Sequence, residues 1–216
     1  MGSKTQKGRY VQYGCGLSSP EGWINFDASP TLIAQKIPFV GKYIRKAQIS
    51  FPPSVRFGDI RKGLKIPDKS CDGVYASHIL EHLALDDLDK ALKETFRILK
   101  PNGIFRLVVP DLVYYATRYI ESYEVGDVES CSVFMRDTYL GKKSRPKGIV
   151  GLIKSSLSNS SHMWMWDELG MTSVLKRHGF ANIRRAQFGD CSDPNFNLVE
   201  DASRFQNACA LECGIT

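Results

Sequence analysis

Short β-type runs at 9–13, 23–27, 55–59, 71–76 and 104–109 alternate with helical patterns over the first two thirds of the chain, which predicts a parallel sheet covered on both faces. The last four runs are short, apolar and bounded by Pro, Gly or Asp. The clearest connection is a helix over 85–100, where Leu88, Leu92, Thr95 and Leu99 form one stripe broadened by Ala91 and Ile98. Asp86 and Asp87 suit its first turn. Lys100-Pro101-Asn102-Gly103 then breaks the helix and turns the chain into 104–109, a helix-to-strand return of the βαβ type.

From 111 to about 160 the pattern becomes mostly helical and more polar, with a basic cluster of Lys142, Lys143, Arg145 and Lys147 and serines from 155 to 161. A cap or lid over 111–165 is expected there. A last helix over 167–178 carries Met171, Val174, Leu175 and His178 on one face and stops at Gly179, and two final strands follow at 181–188 and 207–213. With 216 residues, 43% hydrophobic and 24% charged, the chain suits one globular domain with a substantial core, which excludes disorder and fibrous repeats. No apolar run approaches the roughly 20 residues that cross a bilayer, and 148–153 is far too short. The polar start lacks the apolar core of a secretory signal, and Gln6 stands where a myristoylation pattern wants Ser or Thr. Cysteines 15, 71, 131, 191, 209 and 213 show no CxxC spacing and read as reduced thiols, so a cytoplasmic setting is expected. A net charge of +6 favours anionic partners without naming one.

Tyr13-Gly14-Cys15-Gly16 closes the first strand with two glycines, where bare backbone lets a ligand approach closely. The second strand ends in Asp27, a carboxylate able to accept from both hydroxyls of a ribose. The third ends at Gly58-Asp59-Ile60, offering a second acid for an exocyclic amine. Leu17, Ser18 and Ser19 stand where a dinucleotide fingerprint needs its third glycine, so a pyrophosphate cradle is unsupported. A nucleoside with a zwitterionic tail needs no such cradle, and S-adenosylmethionine is a ligand of that kind.

These residues resemble the class I S-adenosylmethionine-dependent methyltransferases, and within them the methyltransferase type 11 group. The match runs through Gly14-Cys15-Gly16, Gly22-Trp23-Ile24-Asn25 and Asp27 to Cys71-Asp72-Gly73-Val74, His78, Leu80-Glu81-His82-Leu83 and Ile98-Leu99-Lys100-Pro101-Asn102-Gly103. A weaker likeness follows, in which Ser161-His162-Met163-Trp164-Met165-Trp166-Asp167 is similar to a His-Lys-Trp-Met-Tyr-Asp segment of relatives linked to glycan or cell-surface sugar biosynthesis; Met163 and Trp166 replace its Lys and Tyr. The resemblance implies an α/β, Rossmann-like, seven-stranded and mostly parallel sheet with a reversed last strand, helices on both faces and a helical cap insertion. It implies a methionine moiety over Tyr13, Gly14, Cys15 and Gly16, ribose on Asp27, adenine at Asp59 and Ile60, and Ala76, Ser77 and His78 beside the cofactor's amino-acid end, facing substrate. Gly16 and Trp23 lie too close together for the usual first crossover helix.

The expected reaction is methyl transfer to an oxygen or nitrogen of a small-molecule or glycan-type acceptor, with no metal required. For a hydroxyl acceptor the base is expected among His162, His78 and Asp111, with His162 preferred; Asp111 could equally cap the following helix. Two readings within the fold compete: an RNA or protein methyltransferase, suggested by the basic cluster and Arg184-Arg185, and a cofactor-binding module without catalysis. A third treats His78, Glu81 and His82 as the H-x-x-E-H motif of a zinc peptidase, which needs a long helix where here a strand ends just before His78. His178 and Cys209 and Cys213 read as structural, and Trp164 and Trp166 either as core or as an apolar wall over the acceptor.

Overall fold

The computed structural model describes residues 8–37, 50–144 and 161–216. Seven strands form one sheet: β1 Tyr10–Tyr13, β2 Trp23–Asp27, β3 Arg56–Phe57, β4 Cys71–Ser77, β5 Leu99–Pro110, β6 Ala181–Arg185 and β7 Ala208–Gly214. Their order is β3-β2-β1-β4-β5-β7-β6. All pairings are parallel except those of β7, which runs antiparallel to both β5 and β6. The chain winds outward from β1 to β3 and then returns to place β4 on the other side of β1. In open sheets ligands bind at such a reversal, outside the carboxyl ends of the strands.

Among the described residues the helices are α1 Pro30–Lys36, α2 Leu85–Ile98, α3 Leu112–Glu124, α4 Ser130–Asp137 and α5 Glu168–Arg177. The stripe of α2 is buried at Leu88, Ala91, Leu92, Thr95 and Ile98. Asp167 caps α5 by accepting from the Gly170 amide, and Gly179 ends the helix region at φ 88°. Helix α2 stops at Ile98, two residues short of the expected end, because β5 starts at Leu99. The expected tight turn is an irregularity within β5: Asn102 takes φ 62° and its amide donates to the Ile215 carbonyl, and the register with β4 shifts between Cys71 and Gly73. The run expected at 55–59 shrinks to a two-residue strand, and that at 181–188 ends at Arg185. The cap region supplies α3 and α4, while Arg145, Lys147, the 148–153 run and most of the serines fall outside the described residues.

Alternation along β5 sends Phe105, Leu107 and Val109 into the main core with α2 and α5, and Val108 to the opposite face. On that opposite face residues 14–22 join β1 to β2 directly, with no helix in the connection. Two short 3-10 turns, Pro194–Leu198 and Ala202–Phe205, cover it instead. Fully buried Phe196 meets Trp23 edge to face, with ring centroids 5.3 Å apart, and touches Tyr10 and Tyr75 similarly. Arg106, also on this face and wholly buried, binds Glu200 from the covering segment, Glu212 directly opposite on β7 (2.8 Å), and Asp190 (2.8 Å). All six cysteines are unpaired. Among the described residues no helix is long and apolar enough to cross a membrane.

Candidate cofactor and catalytic site

Where β1 ends, Gly14 and Gly16 adopt φ 63° and 54°, left-handed values that a side chain would strain. A Cβ on Gly14 would stand 2.1 Å from the Ile79 side chain, whereas one on Gly16 would meet nothing within 4 Å. Asp27 fixes this turn, since its Oδ2 accepts from the Gly16 amide (2.9 Å) and its Oδ1 from the Ser29 amide (2.7 Å). Each oxygen keeps a further lone pair for a ligand.

Two clefts meet at Tyr13 and Gly14. The narrower, about 70 Å³, is lined by Asp27, Asp59, Ile60, Ile79 and His82. Its size is limited by Arg61, which grips Asp59 through Nε (2.9 Å) and Nη2 (2.8 Å). Burial opposes ionisation of Asp59, but the Arg61 contacts outweigh it and hold the carboxyl below its usual range. The wider cleft, about 540 Å³, runs past Gly16 and Ser18 to Tyr75, Ser77, His78 and Arg204. The hydroxyls of Tyr75 and Ser77 are buried there and face each other, with no other hydrogen-bond partner. Cys15, between the glycines, is no thiolate: burial first, then Asp27, pushes its thiol up to about 12.

The sequence-derived residues Tyr13, Gly14, Cys15, Gly16, Asp27, Asp59, Ile60, Ser77 and His78 all line one cleft or the other. Ala76 lines neither and is buried in the core. Arg204, Leu198 and Val199 were missed, because the wall they form comes from a segment almost 200 residues away in sequence.

His78 follows β4 at φ 53°, with its amide held by the Val108 carbonyl (2.8 Å). A left-handed histidine stores about 1–2 kcal/mol, and here that conformation turns the ring into the wide cleft. Its Nε2 bonds the Arg204 carbonyl (2.9 Å), so that nitrogen carries the proton and Nδ1 keeps a lone pair. His162 lines neither cleft; it stacks edge to face on His82, centroids 4.9 Å apart, and burial drives its pKa down to about 4. Asp111 takes the capping role: Oδ1 accepts from the Val113 amide, opening α3, and Oδ2 binds Arg185 (2.9 Å). The peptidase constellation does not form, because Leu80–His82 is a three-residue 3-10 turn and His78 lies outside it in left-handed backbone.

Arg184 and Arg185 are both neutralised, the first by Asp190 and Glu212, the second by Asp111 and Glu168, which leaves little free charge for phosphates. His178 pairs with Asp89 (2.8 Å) and is structural. Trp166 is buried in the main core, while Trp164 is 45% exposed. Burial raises the Cys209 thiol to about 12 and pushes Cys213 up as well.

Residues 13–107 match the family model described as a methyltransferase domain. Over 102 residues the chain is 30% identical to the sterol 24-C-methyltransferase of Aspergillus fumigatus, covering 45% of this chain and 26% of that protein. The chain thus spans about a quarter of the length of that relative. An S-adenosylmethionine-dependent methyltransferase from Thermotoga maritima shares the fold at a TM-score of 0.50 and 15% identity, covering 97% of this chain and 83% of its own. The carbon methyltransferase CurJ does so at a TM-score of 0.50 and 11% identity, covering 99% of this chain and 50% of its own.

Proposed function

We propose that this chain, a class I S-adenosylmethionine-dependent methyltransferase by its sheet and by the domain at residues 13–107, transfers a methyl group to an oxygen or nitrogen of a small or sugar-like acceptor. The observation that carries this reading is Asp27: a carboxylate at the end of β2, bound to the glycine turn yet facing a cleft that joins a wider one across Gly14. Bound S-adenosylmethionine supplies a methyl group on a sulfonium, ready for in-line displacement.

This chain's residues fit such a ligand. Asp27 accepts from the ribose hydroxyls, and Asp59 with Ile60 flanks the adenine once the exposed Arg61 side chain swings aside. The guanidinium of Arg204 faces the tail's carboxylate in the wide cleft, and the buried hydroxyls of Tyr75 and Ser77 meet its polar atoms. His78 is the base. It lines the wide cleft, its tautomer is set by Arg204, and burial lowers its pKa, keeping the ring neutral and able to take a proton. His162, preferred from sequence, is turned away toward Glu81.

The acceptor's reacting atom lies in the wide cleft beside His78, and the cavity of about 440 Å³ between α3 and α4, lined by Tyr114, Tyr115, Tyr119 and Tyr139 with Arg118 and Arg136, is the subsite for the acceptor's remote part. Flat amphipathic rings with two cations suit a sugar or aromatic acceptor carrying an anionic group. The test is calorimetric titration with S-adenosylmethionine followed by labelled-methyl transfer to a panel of such acceptors. Asp27→Asn should weaken cofactor binding roughly tenfold to a hundredfold, as expected for hydrogen bonds to a charged group. Equal affinity in the folded variant overturns the ribose assignment, and transfer to a carbon atom overturns the acceptor chemistry.

A further inference from the structure

The turn after β4 gathers a buried acid and two imidazoles besides the His78 base. Glu81 is fully buried, and neither carboxylate oxygen has a hydrogen-bond partner. Three imidazoles crowd its Oε1: His78 Nδ1 at 3.6 Å, His82 Nε2 at 3.8 Å and His162 Nε2 at 4.0 Å. Among the described residues, Glu81, His82 and His162 bring their ligand atoms within 4.8 Å of one another. We propose that Glu81, His82 and His162 form a binding site for one divalent first-row cation of the zinc class.

The tautomers argue for it. His82 spends its Nδ1 proton on the Ser161 carbonyl (3.0 Å), so Nε2 presents a lone pair to Glu81. His78 spends its Nε2 proton on the Arg204 carbonyl, so Nδ1 presents another. The lone pairs of His78 and His82 thus converge on a carboxylate oxygen. One proton on Glu81 satisfies one nitrogen, whereas a cation satisfies both ligand nitrogens at once. Backbone carbonyls holding the far nitrogen of an imidazole are also the usual support of metal-binding histidines. The donor set, two imidazoles and a carboxylate, is that of open zinc sites. Bonds of about 2.0–2.2 Å to a tetrahedral ion separate ligands by about 3.4 Å, so small side-chain rotations close the present spacing. The frame is preformed: the Glu81 carbonyl accepts from the amides of Met163 (2.7 Å) and Trp164 (3.1 Å), tying the segment that carries His162 to the Glu81 turn. This site stands independently of the acceptor.

The experiment uses the whole chain, stripped with a chelator and titrated with zinc by calorimetry and with cobalt(II) by absorption. Expected are one zinc per chain and cobalt ligand-field bands without a thiolate-to-cobalt charge-transfer band. Glu81→Gln and His162→Gln, each checked for folding by circular dichroism, should weaken zinc at least about tenfold. His178→Ala, whose ring pairs with Asp89, should leave it unchanged. Absence of stoichiometric zinc on the folded wild-type chain, a thiolate band, or undiminished binding in both folded variants overturns the site. S-adenosylmethionine titration of the same samples reads the cofactor site separately.

Discussion

Arg106 shows how much one residue can hold. Its guanidinium is wholly inaccessible and shared among Glu200, Glu212 and Asp190, which fastens the 190–200 segment to the sheet. Removing one member of a buried ionic group leaves the others uncompensated and costs about 3–5 kcal/mol. Arg106→Ala is therefore expected to lower the urea midpoint by that equivalent; a loss under 1 kcal/mol would mean that water reaches the acids. An arginine inside the apolar run Ile104-Phe105-Arg106-Leu107-Val108 was visible in the sequence as an anomaly, but its partners, up to 106 residues away, were not. His78 carries the second residue-scale prediction. His78→Ala should reduce turnover by about a hundredfold or more, the loss of a general base, while S-adenosylmethionine affinity holds. Full turnover in that variant returns the proton to another group.

Among the elements, the covering segment between β6 and β7 is the one this chain builds differently. Asp190 reports on it. Burial opposes its ionisation, but Arg184, the Gln187 amide and Arg106 prevail and hold its pKa down to about 2, against 3.8 for an unperturbed carboxylate. A depressed carboxyl contributes stability that is complete above the unfolded value and lost as pH falls through the folded one. The segment should thus loosen between about pH 4 and pH 2. Hydrogen exchange at the Phe196 and Val199 amides measures it, and exchange that rises only with global unfolding contradicts it. The strands, α2 and α5 were legible because period-two and period-3.6 patterns report burial by local elements. The covering segment was not, because its short 3-10 turns carry no periodicity and Phe196 looks like any lone aromatic in a loop. The same limit explains the site: Gly14, Gly16, Asp27 and Asp59 are strand-end residues readable in line, whereas Arg204 reaches the cleft only through tertiary packing. Sequence prefers His162 as the base from its place at the end of the cap, whereas its ring turns inward to Glu81.

At the scale of the molecule, two cavities flank the turn after β4, one at the sheet's reversal point and one between α3 and α4, and a relay of rings links them. Tyr139, on the α3–α4 cavity, lies 5.2 Å from His162, which lies 4.9 Å from His82 on the Asp27 cleft. Methyl transfer needs donor and acceptor held together with water excluded, so the proposed reading puts the cofactor and the reacting atom at the strand ends and only the acceptor's remote part between the helices. Changes in the α3–α4 cavity should accordingly touch the acceptor alone. Tyr115→Ala removes a half-buried ring, and Arg118→Ala a cation that sits 5.9 Å over the Tyr114 ring. Each is expected to raise the acceptor's KM by about threefold to tenfold, the worth of one aromatic or cation–π contact, with kcat and cofactor affinity unchanged. For an anionic acceptor the Arg118 effect should shrink with added salt, since an exposed charge is screened within about 8–10 Å. Calorimetry for the cofactor and initial rates against acceptor concentration separate the two sites. If either substitution lowers cofactor affinity as much as it raises KM, the cavities are not divided in this way and the acceptor's remote part lies beside Arg204 instead.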